Sequence, residues 1–130
     1  MKILVGFNGY FVSRYAVDLA VKYAKAFKAS VDIVTMLEKG HALHLDDMEK
    51  ADKALDEAGK AFDETGIPYR TRVIANDLSA GENLVMFAED NDIDMLIIGI
   101  KRRSKVSKIL MGSTAQYVIL NAPCQVLTVQ

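Results

Sequence analysis

A basic loop lies between two glycines in the segment Gly99–Thr114, which reads GIKRRSKVSKILMGST. Arginine can bind phosphate oxygens through two parallel hydrogen bonds, and lysine adds a point charge. Gly112 and Ser113 precede an apolar segment typical of a helix, whose free N–H groups attract anions. The pattern predicts a phosphate-binding loop, although a loop of merely solvated charges would have the same composition. The basic residues are Lys101, Arg102, Arg103, Lys105 and Lys108.

Five segments have the composition of β-strands. Residues 2–8, 30–37, 94–99 and 124–129 are apolar or β-branched runs, which is typical of strands buried in a sheet. Residues 69–75, YRTRVIA, alternate polar and apolar side chains, as an exposed edge strand does. The strands that are most apolar on both faces are the first and the fourth, so we expect them to be central neighbours.

Helices are predicted between the strands. Ser79 and Glu82 have the spacing of a capping box ahead of the third helix, and residues 113–120 form the fourth. In the first two helices, apolar residues recur at steps of three and four, which indicates a buried face. These faces comprise Val12, Tyr15, Ala16, Leu19, Ala20, Tyr23, Ala24 and Phe27 in the first helix, and Met48, Ala51, Leu55, Ala58 and Phe62 in the second.

The alternation of strand and helix predicts one α/β domain over residues 1–130, an open parallel five-stranded sheet with helices on both faces. The strand order follows as 3-2-1-4-5. The chain then winds in opposite directions from strands one and four, and a crevice opens between their carboxyl ends. Phe7 and Asn8 would border this crevice on one side and Gly99 on the other.

The spacing within the basic loop resembles the nucleotide-binding signature of the universal stress protein family (UspA-like domain). That signature is Gly, two residues, Gly, nine residues, Gly, then Ser or Thr. Here Gly99 is followed after two residues by Arg102, and nine residues later by Gly112 and Ser113. The tail GSTAQYVILNAPCQVLTV is also similar to the usual ending of the family. The resemblance covers essentially the whole chain.

The resemblance implies a flavodoxin-like or Rossmann-like domain of the adenine nucleotide alpha hydrolase type. Some members of the family bind ATP in the crevice, and many dimerise through the last strand, here Cys124–Val129. It further implies a role in stress survival and signalling without a well-defined catalytic activity. Phe7 and Met36 would contact the base. The phosphates would meet Gly99, Lys101, Arg102, Arg103, Gly112, Ser113 and Thr114, with Mg²⁺ as a companion of ATP.

Two residues depart from the ATP-binding pattern. Arg102 replaces the second glycine, and Asn8 replaces the aspartate that binders usually carry. Arg102 either fills the phosphate site or supplies charged donors to it. Three hypotheses remain open: an ATP-binding protein, a dimeric interaction module that binds no ATP, and a receptor for a smaller anion such as a cyclic or monophosphate nucleotide.

Composition excludes several other classes. The net charge of −1 gives no general attraction to nucleic acid or anionic membranes. No run approaches the roughly 18 apolar residues of a membrane span, and the single cysteine suits a reducing compartment, so we expect a cytoplasmic protein. The sequence has neither a complete P-loop nor a Gly-x-Ser-x-Gly elbow, so at most slow ATP hydrolysis is expected. His41 and His44 lie close to two aspartates, but we interpret them as parts of a surface loop rather than a metal site.

Overall fold

The computed structural model describes residues 1–8, 11–37, 45–100 and 112–130. Five parallel strands form one sheet in the order β3-β2-β1-β4-β5. The predicted fold class and strand order are thereby confirmed. The strands are β1 Lys2–Gly6, β2 Ser30–Leu37, β3 Tyr69–Ala75, β4 Met95–Gly99 and β5 Gln125–Val129. The helices are α1 Phe11–Phe27, α2 Leu45–Gly59 with a 3₁₀ turn at Lys60–Phe62, α3 Ala80–Asp90 and α4 Ser113–Asn121.

The central strands are apolar on both faces because helices cover both sides of the sheet. Leu4 of β1 lies in register with Leu96 of β4, and both are completely buried on the side of α3 and α4. The next residues along these strands, Val5 and Ile97, are also completely buried and pack on the side of α1 and α2. The same two strands carry the residues that lead into the predicted crevice.

The edge strand β3 is attached to the sheet by a bidentate ion pair. Arg70 Nε donates to Asp32 Oδ1 at 2.8 Å, and Arg70 Nη2 donates to Asp32 Oδ2 at 3.1 Å. Asp32 is only 8% exposed, so the arginine satisfies a carboxylate that the sheet would otherwise desolvate without compensation. Arg72 stacks over the Phe87 ring at 5.7 Å from its centroid. The alternating charges of β3 thus have structural partners.

The predicted faces of α1 and α2 are partly wrong. Tyr15 and Phe27 are 47% and 54% exposed, because the line of α1 that meets the sheet consists of small residues, including Ala16, Ala20 and Ala24. Met48 is 37% exposed, since α2 packs on the sheet only through its carboxyl-terminal half. Apolar periodicity located the helices, but it did not distinguish the side chains at the margin of each buried face.

Candidate functional site

A cleft of about 270 Å³ opens at the carboxyl ends of β1, β2 and β4. This position is the switch point of the sheet, where the chain crosses to opposite faces from β1 and β4. The beginnings of α3 and α4 form its other walls. Its described lining consists of Gly6, Phe7, Asn8, Thr35, Met36, Ala80, Leu84, Ile98, Gly99, Thr114 and Ala115.

Five residues singled out from the sequence meet in this cleft, namely Phe7, Asn8, Met36, Gly99 and Thr114. They come from three strand ends and one helix start. Parallel strands bring their carboxyl ends to one edge of the sheet, so residues far apart in the chain converge there. The predicted crevice between β1 and β4 is therefore present.

Gly112 and Ser113 lie immediately before Thr114 but are not among the lining residues of the cleft. Gly112 is the N-cap of α4, with φ −64° and ψ 163°, and Ser113 is the first helical residue. A Cβ atom built on Gly112 meets no atom of the described part of the chain within 4 Å. Neither its backbone angles nor its neighbours in the described part of the chain require glycine. The predicted residues Lys101, Arg102 and Arg103 lie outside the described residues.

The side chain of Asn8 is hydrogen-bonded to Ser13, a residue that the sequence analysis did not identify. The hydroxyl of Ser13 donates to Asn8 Oδ1 at 2.6 Å, and the backbone N–H of Asn8 points back to the same hydroxyl at 3.4 Å. Ser13 is only 2% exposed, in the first turns of α1. A signal for Ser13 was available in the sequence: it is a polar residue three positions before Ala16, and so on the face of the first helix that the helical period predicts to be buried.

Sequence reasoning also missed the floor and the far wall of the cleft. A Cβ on Gly6 would lie 3.1 Å from a methyl group of Leu84 and 3.2 Å from one of Ile98, so glycine permits β1, β4 and α3 to approach closely. Thr35, 8% exposed, contributes a buried hydroxyl-bearing side chain at the end of β2. The strand ends could have indicated Thr35 and Ile98, but only the packing of α3 reveals Leu84.

Polar side chains fix the start of α3, where Ala80 borders the cleft. Ser79 caps the helix by accepting the N–H of Glu82 at 3.2 Å, as the capping-box spacing predicted. Asn76 and the 3%-exposed Asn83 exchange two side-chain hydrogen bonds of 2.8 and 2.9 Å. Such a reciprocal pair leaves little freedom for the helix start relative to the end of β3.

The described lining of the cleft carries no titratable side chain. Its polar groups are an amide at Asn8, hydroxyls at Thr35 and Thr114, and backbone. A bound anion would therefore meet no carboxylate in the described lining, and the sequence places five basic residues between Gly99, which lines the cleft, and Gly112, two residues before Thr114 of the lining. Residues 1–8, 11–37, 45–100 and 112–130 contain no cluster of three or more metal-ligating side chains, while His41 and His44 lie outside them.

A second groove, of about 330 Å³, runs between α1 and α2. Its floor includes Phe7 and Val17, and its rim carries Arg14, Asp18 and Glu57. Arg14 contributes to lowering the pKa of Glu57, after the larger effects of the hydrogen bond and charge of Lys60. With Lys53, which also lines the groove, the rim carries two positive and two negative charges, and among its described lining residues only Phe7 follows the end of a strand. The cleft is therefore the better candidate site. None of the described helices is long and apolar enough to cross a membrane.

Comparison with known proteins agrees with this geometry. The sequence matches the universal stress protein family over residues 1–130. A universal stress protein of Methanocaldococcus jannaschii is 29% identical over 99% of this chain and 81% of its own length. One from Mycolicibacterium smegmatis is 28% identical over 98% of this chain and 96% of its own length.

Solved structures share the fold at lower identity. A universal stress protein from Archaeoglobus fulgidus superposes with a TM-score of 0.88 at 24% identity, covering 100% of this chain and 98% of that one. The Archaeoglobus fulgidus protein in complex with dAMP gives 0.84 at 22% identity, with the same coverage. A universal stress protein in complex with cAMP gives 0.77 at 24% identity over 100% and 96% of the two chains. With the family matched along its whole length, and the cleft at the switch point of its sheet, this chain belongs to the universal stress protein family.

Proposed function

We propose that the cleft binds an adenine nucleotide, with the phosphate at the start of α4. The observation that carries this proposal is the start of α4, a helix of nine residues whose first turn borders the cleft through Thr114 and Ala115. Exposed N–H groups at such a start favour an anion. Lys101, Arg102 and Arg103, on the sequence just before Gly112, would add positive charge.

The opposite end of the cleft suits a base. Phe7 and Met36 offer apolar surface, while Asn8 and Thr35 offer hydrogen-bonding groups beside it. A mainly apolar concavity with a few polar groups is typical of small-molecule sites. The dAMP and cAMP complexes of the related proteins support an adenine ligand here. Gly99, Ser113 and Thr114 would lie toward the ribose and phosphate.

Binding rather than turnover is the proposed mode of action. The described lining offers no general base to activate water and no carboxylate to hold Mg²⁺. Mg²⁺ would therefore enter, if at all, through the phosphates of ATP. We infer that nucleotide binding changes the conformation or association of a stress-response protein in the cytoplasm, with ATP hydrolysis slow or absent.

Direct titration of the purified protein tests this proposal. We expect micromolar binding of at least one of AMP, cAMP and ATP, measured by isothermal calorimetry with and without Mg²⁺. Arg102→Gly separates the roles left open by the sequence: it weakens binding if the arginine is a phosphate ligand, and strengthens ATP binding if the arginine fills the site. A folded protein that binds none of the three nucleotides would contradict the proposal.

A second candidate function, a dimeric interaction module, is favoured by the outer edge of β5. The strand Gln125–Val129 contains no charged residue, whereas the other edge strand, β3, carries Arg70 and Arg72. Charges on an edge discourage pairing with another strand, and their absence permits it. Leu120, 81% exposed near the end of α4, adds apolar surface. We propose a homodimer formed through Cys124–Val129, which is compatible with nucleotide binding.

The substitution Thr128→Lys should dissociate the proposed homodimer into monomers. The carbonyl of Val129 accepts the N–H of Ile100 and thus faces β4, so the backbone of Thr128 faces the outer edge. In a symmetric pair of β5 strands, Thr128→Lys brings two positive charges together at the interface. We expect a dimer for the wild type and a monomer for the variant in analytical ultracentrifugation. Thr71→Lys, the same change on the opposite edge strand, should remain dimeric. Equal masses for the wild type and Thr128→Lys would count against this interface.

A further inference from the structure

We propose that Thr35 recognises the base of the nucleotide directly, because its hydroxyl oxygen, Oγ1, accepts a hydrogen bond from the 6-amino group of adenine. This inference rests on the proposed nucleotide binding and names a determinant of its specificity. Thr35 lies two residues before the end of β2 and lines the cleft. The observation that points to a ligand is that this buried hydroxyl has no hydrogen-bond partner among the described residues.

Thr35 differs in this respect from the other buried polar side chains of the described residues. There are four such side chains, and the other three, Ser13, Asp32 and Asn83, each form a hydrogen bond with another side chain. No fully buried side-chain oxygen or nitrogen in the described part of the chain lacks a partner, so Oγ1 of Thr35 retains some accessible surface. Since Thr35 is 8% exposed and lines the cleft, we place that surface toward the cleft.

The surroundings of Thr35 make its hydroxyl costly in the free protein. Val73 of β3 lies opposite Thr35 in register, and Phe7 at the end of β1 is 4% exposed. A hydroxyl in such apolar surroundings without a partner destabilises the fold, whereas valine has the same shape and no polar atom. A hydrogen bond from a bound ligand would offset this cost, so the group discriminates strongly between ligands with and without the matching atom.

The strand order determines which part of the nucleotide reaches Thr35. With the phosphate at the start of α4, beside β4, the base extends across β1 toward β2, at the opposite end of the cleft. The sugar is attached at N9, so the opposite edge of adenine, which carries the 6-amino group, lies nearest to β2. That amino group is a hydrogen-bond donor, and a threonine hydroxyl has two lone pairs that accept.

A comparison of two variants with two ligands tests this contact by calorimetric titration. Thr35→Val should weaken AMP binding about tenfold, roughly the value of one hydrogen bond. The same variant should bind purine riboside 5′-monophosphate, which has hydrogen in place of the amino group, within about twofold of the wild type. Thr35→Ser keeps the hydroxyl and should retain most of the affinity for AMP. If the wild type prefers ATP, the triphosphates of both nucleosides replace the monophosphates.

The stability of the free protein provides a second, independent readout. Thr35→Val should leave the midpoint of urea denaturation unchanged or raise it, because it removes a hydroxyl that has no partner in the described residues. A lower midpoint would assign the hydroxyl a structural role and overturn the inference. Thr71→Val is the matched control: the same change at an exposed position of β3 outside the described lining of the cleft should leave nucleotide affinity unaltered.

The remaining outcomes separate this inference from the function on which it rests. Equal losses of affinity for both ligands in Thr35→Val would mean that the hydroxyl does not meet the amino group, and an unchanged affinity for AMP would mean that it meets no part of the nucleotide. Either result would overturn the inference and leave nucleotide binding intact. A folded wild-type protein that binds none of AMP, cAMP and ATP would overturn the proposed function and this inference together.

Discussion

Replacing Gly112 with aspartate is expected to weaken nucleotide binding by more than about tenfold without reducing stability. At φ −64° and ψ 163° any residue is tolerated, and aspartate is a better N-cap than glycine, so α4 should form as before or slightly better. The new carboxylate would lie where we place the phosphate. Unit charges about 4 Å apart repel by about 1 kcal/mol in water and about 4 kcal/mol near a protein surface, and 1.4 kcal/mol is tenfold in affinity.

Gly112→Asn is the matched control. Asparagine caps a helix as well as aspartate and has nearly the same shape, but it carries no charge. Calorimetric titration of both variants with the same nucleotide isolates the charge, and urea denaturation checks that both are folded. We expect Gly112→Asn to retain clearly more affinity than Gly112→Asp. If Gly112→Asp binds as tightly as the wild type, the phosphate does not lie at the start of α4.

The sheet could be predicted because its signals are local and strong. The runs KILVG of β1 and MLIIG of β4 are apolar at every position between their ends, which is typical of strands covered on both faces. The charges of β3 excluded it from the centre. Chain alternation then left few topologies, and the order followed from which strands were most buried. The strand order also predicted the position of the crevice, because the crevice lies where the chain changes its winding direction between β1 and β4.

The residues that line and support the site were harder to predict from the sequence. Phe7, Asn8 and Met36 were recognised because they follow directly from strands or from the family motif. Ser13 contacts Asn8, five residues earlier in the chain, and Leu84 packs beside Gly6, which is far away in sequence. No local pattern identifies such contacts. The same limit explains Met48. Its apolar side chain fits the helical period of a buried face, but the part of α2 that contains Met48 does not pack on the sheet. The roles of Lys101, Arg102 and Arg103 stay predictions.

The largest effect on stability is expected from Leu96→Ala. Leu96 is completely buried in β4, paired in register with Leu4 on one side and Val126 on the other. Truncation removes buried methyl groups and leaves a cavity between the sheet and the α3–α4 layer, which costs about 2–5 kcal/mol. Domains of this size have a total free energy of unfolding of about 5–15 kcal/mol, so a large share would be lost. The measurement is urea denaturation, in which the midpoint should fall at an unchanged slope.

Leu45→Ala provides the comparison for this prediction. Leu45 is the same residue type at the first position of α2 but is 71% exposed. Its truncation leaves no internal cavity and removes little buried apolar surface, so the free energy of unfolding should change by less than about 0.5 kcal/mol. A loss below about 1 kcal/mol for Leu96→Ala would mean that the core relaxes around the smaller side chain. That result would contradict a tightly packed β4, and with it the rigidity on which the geometry of the cleft depends.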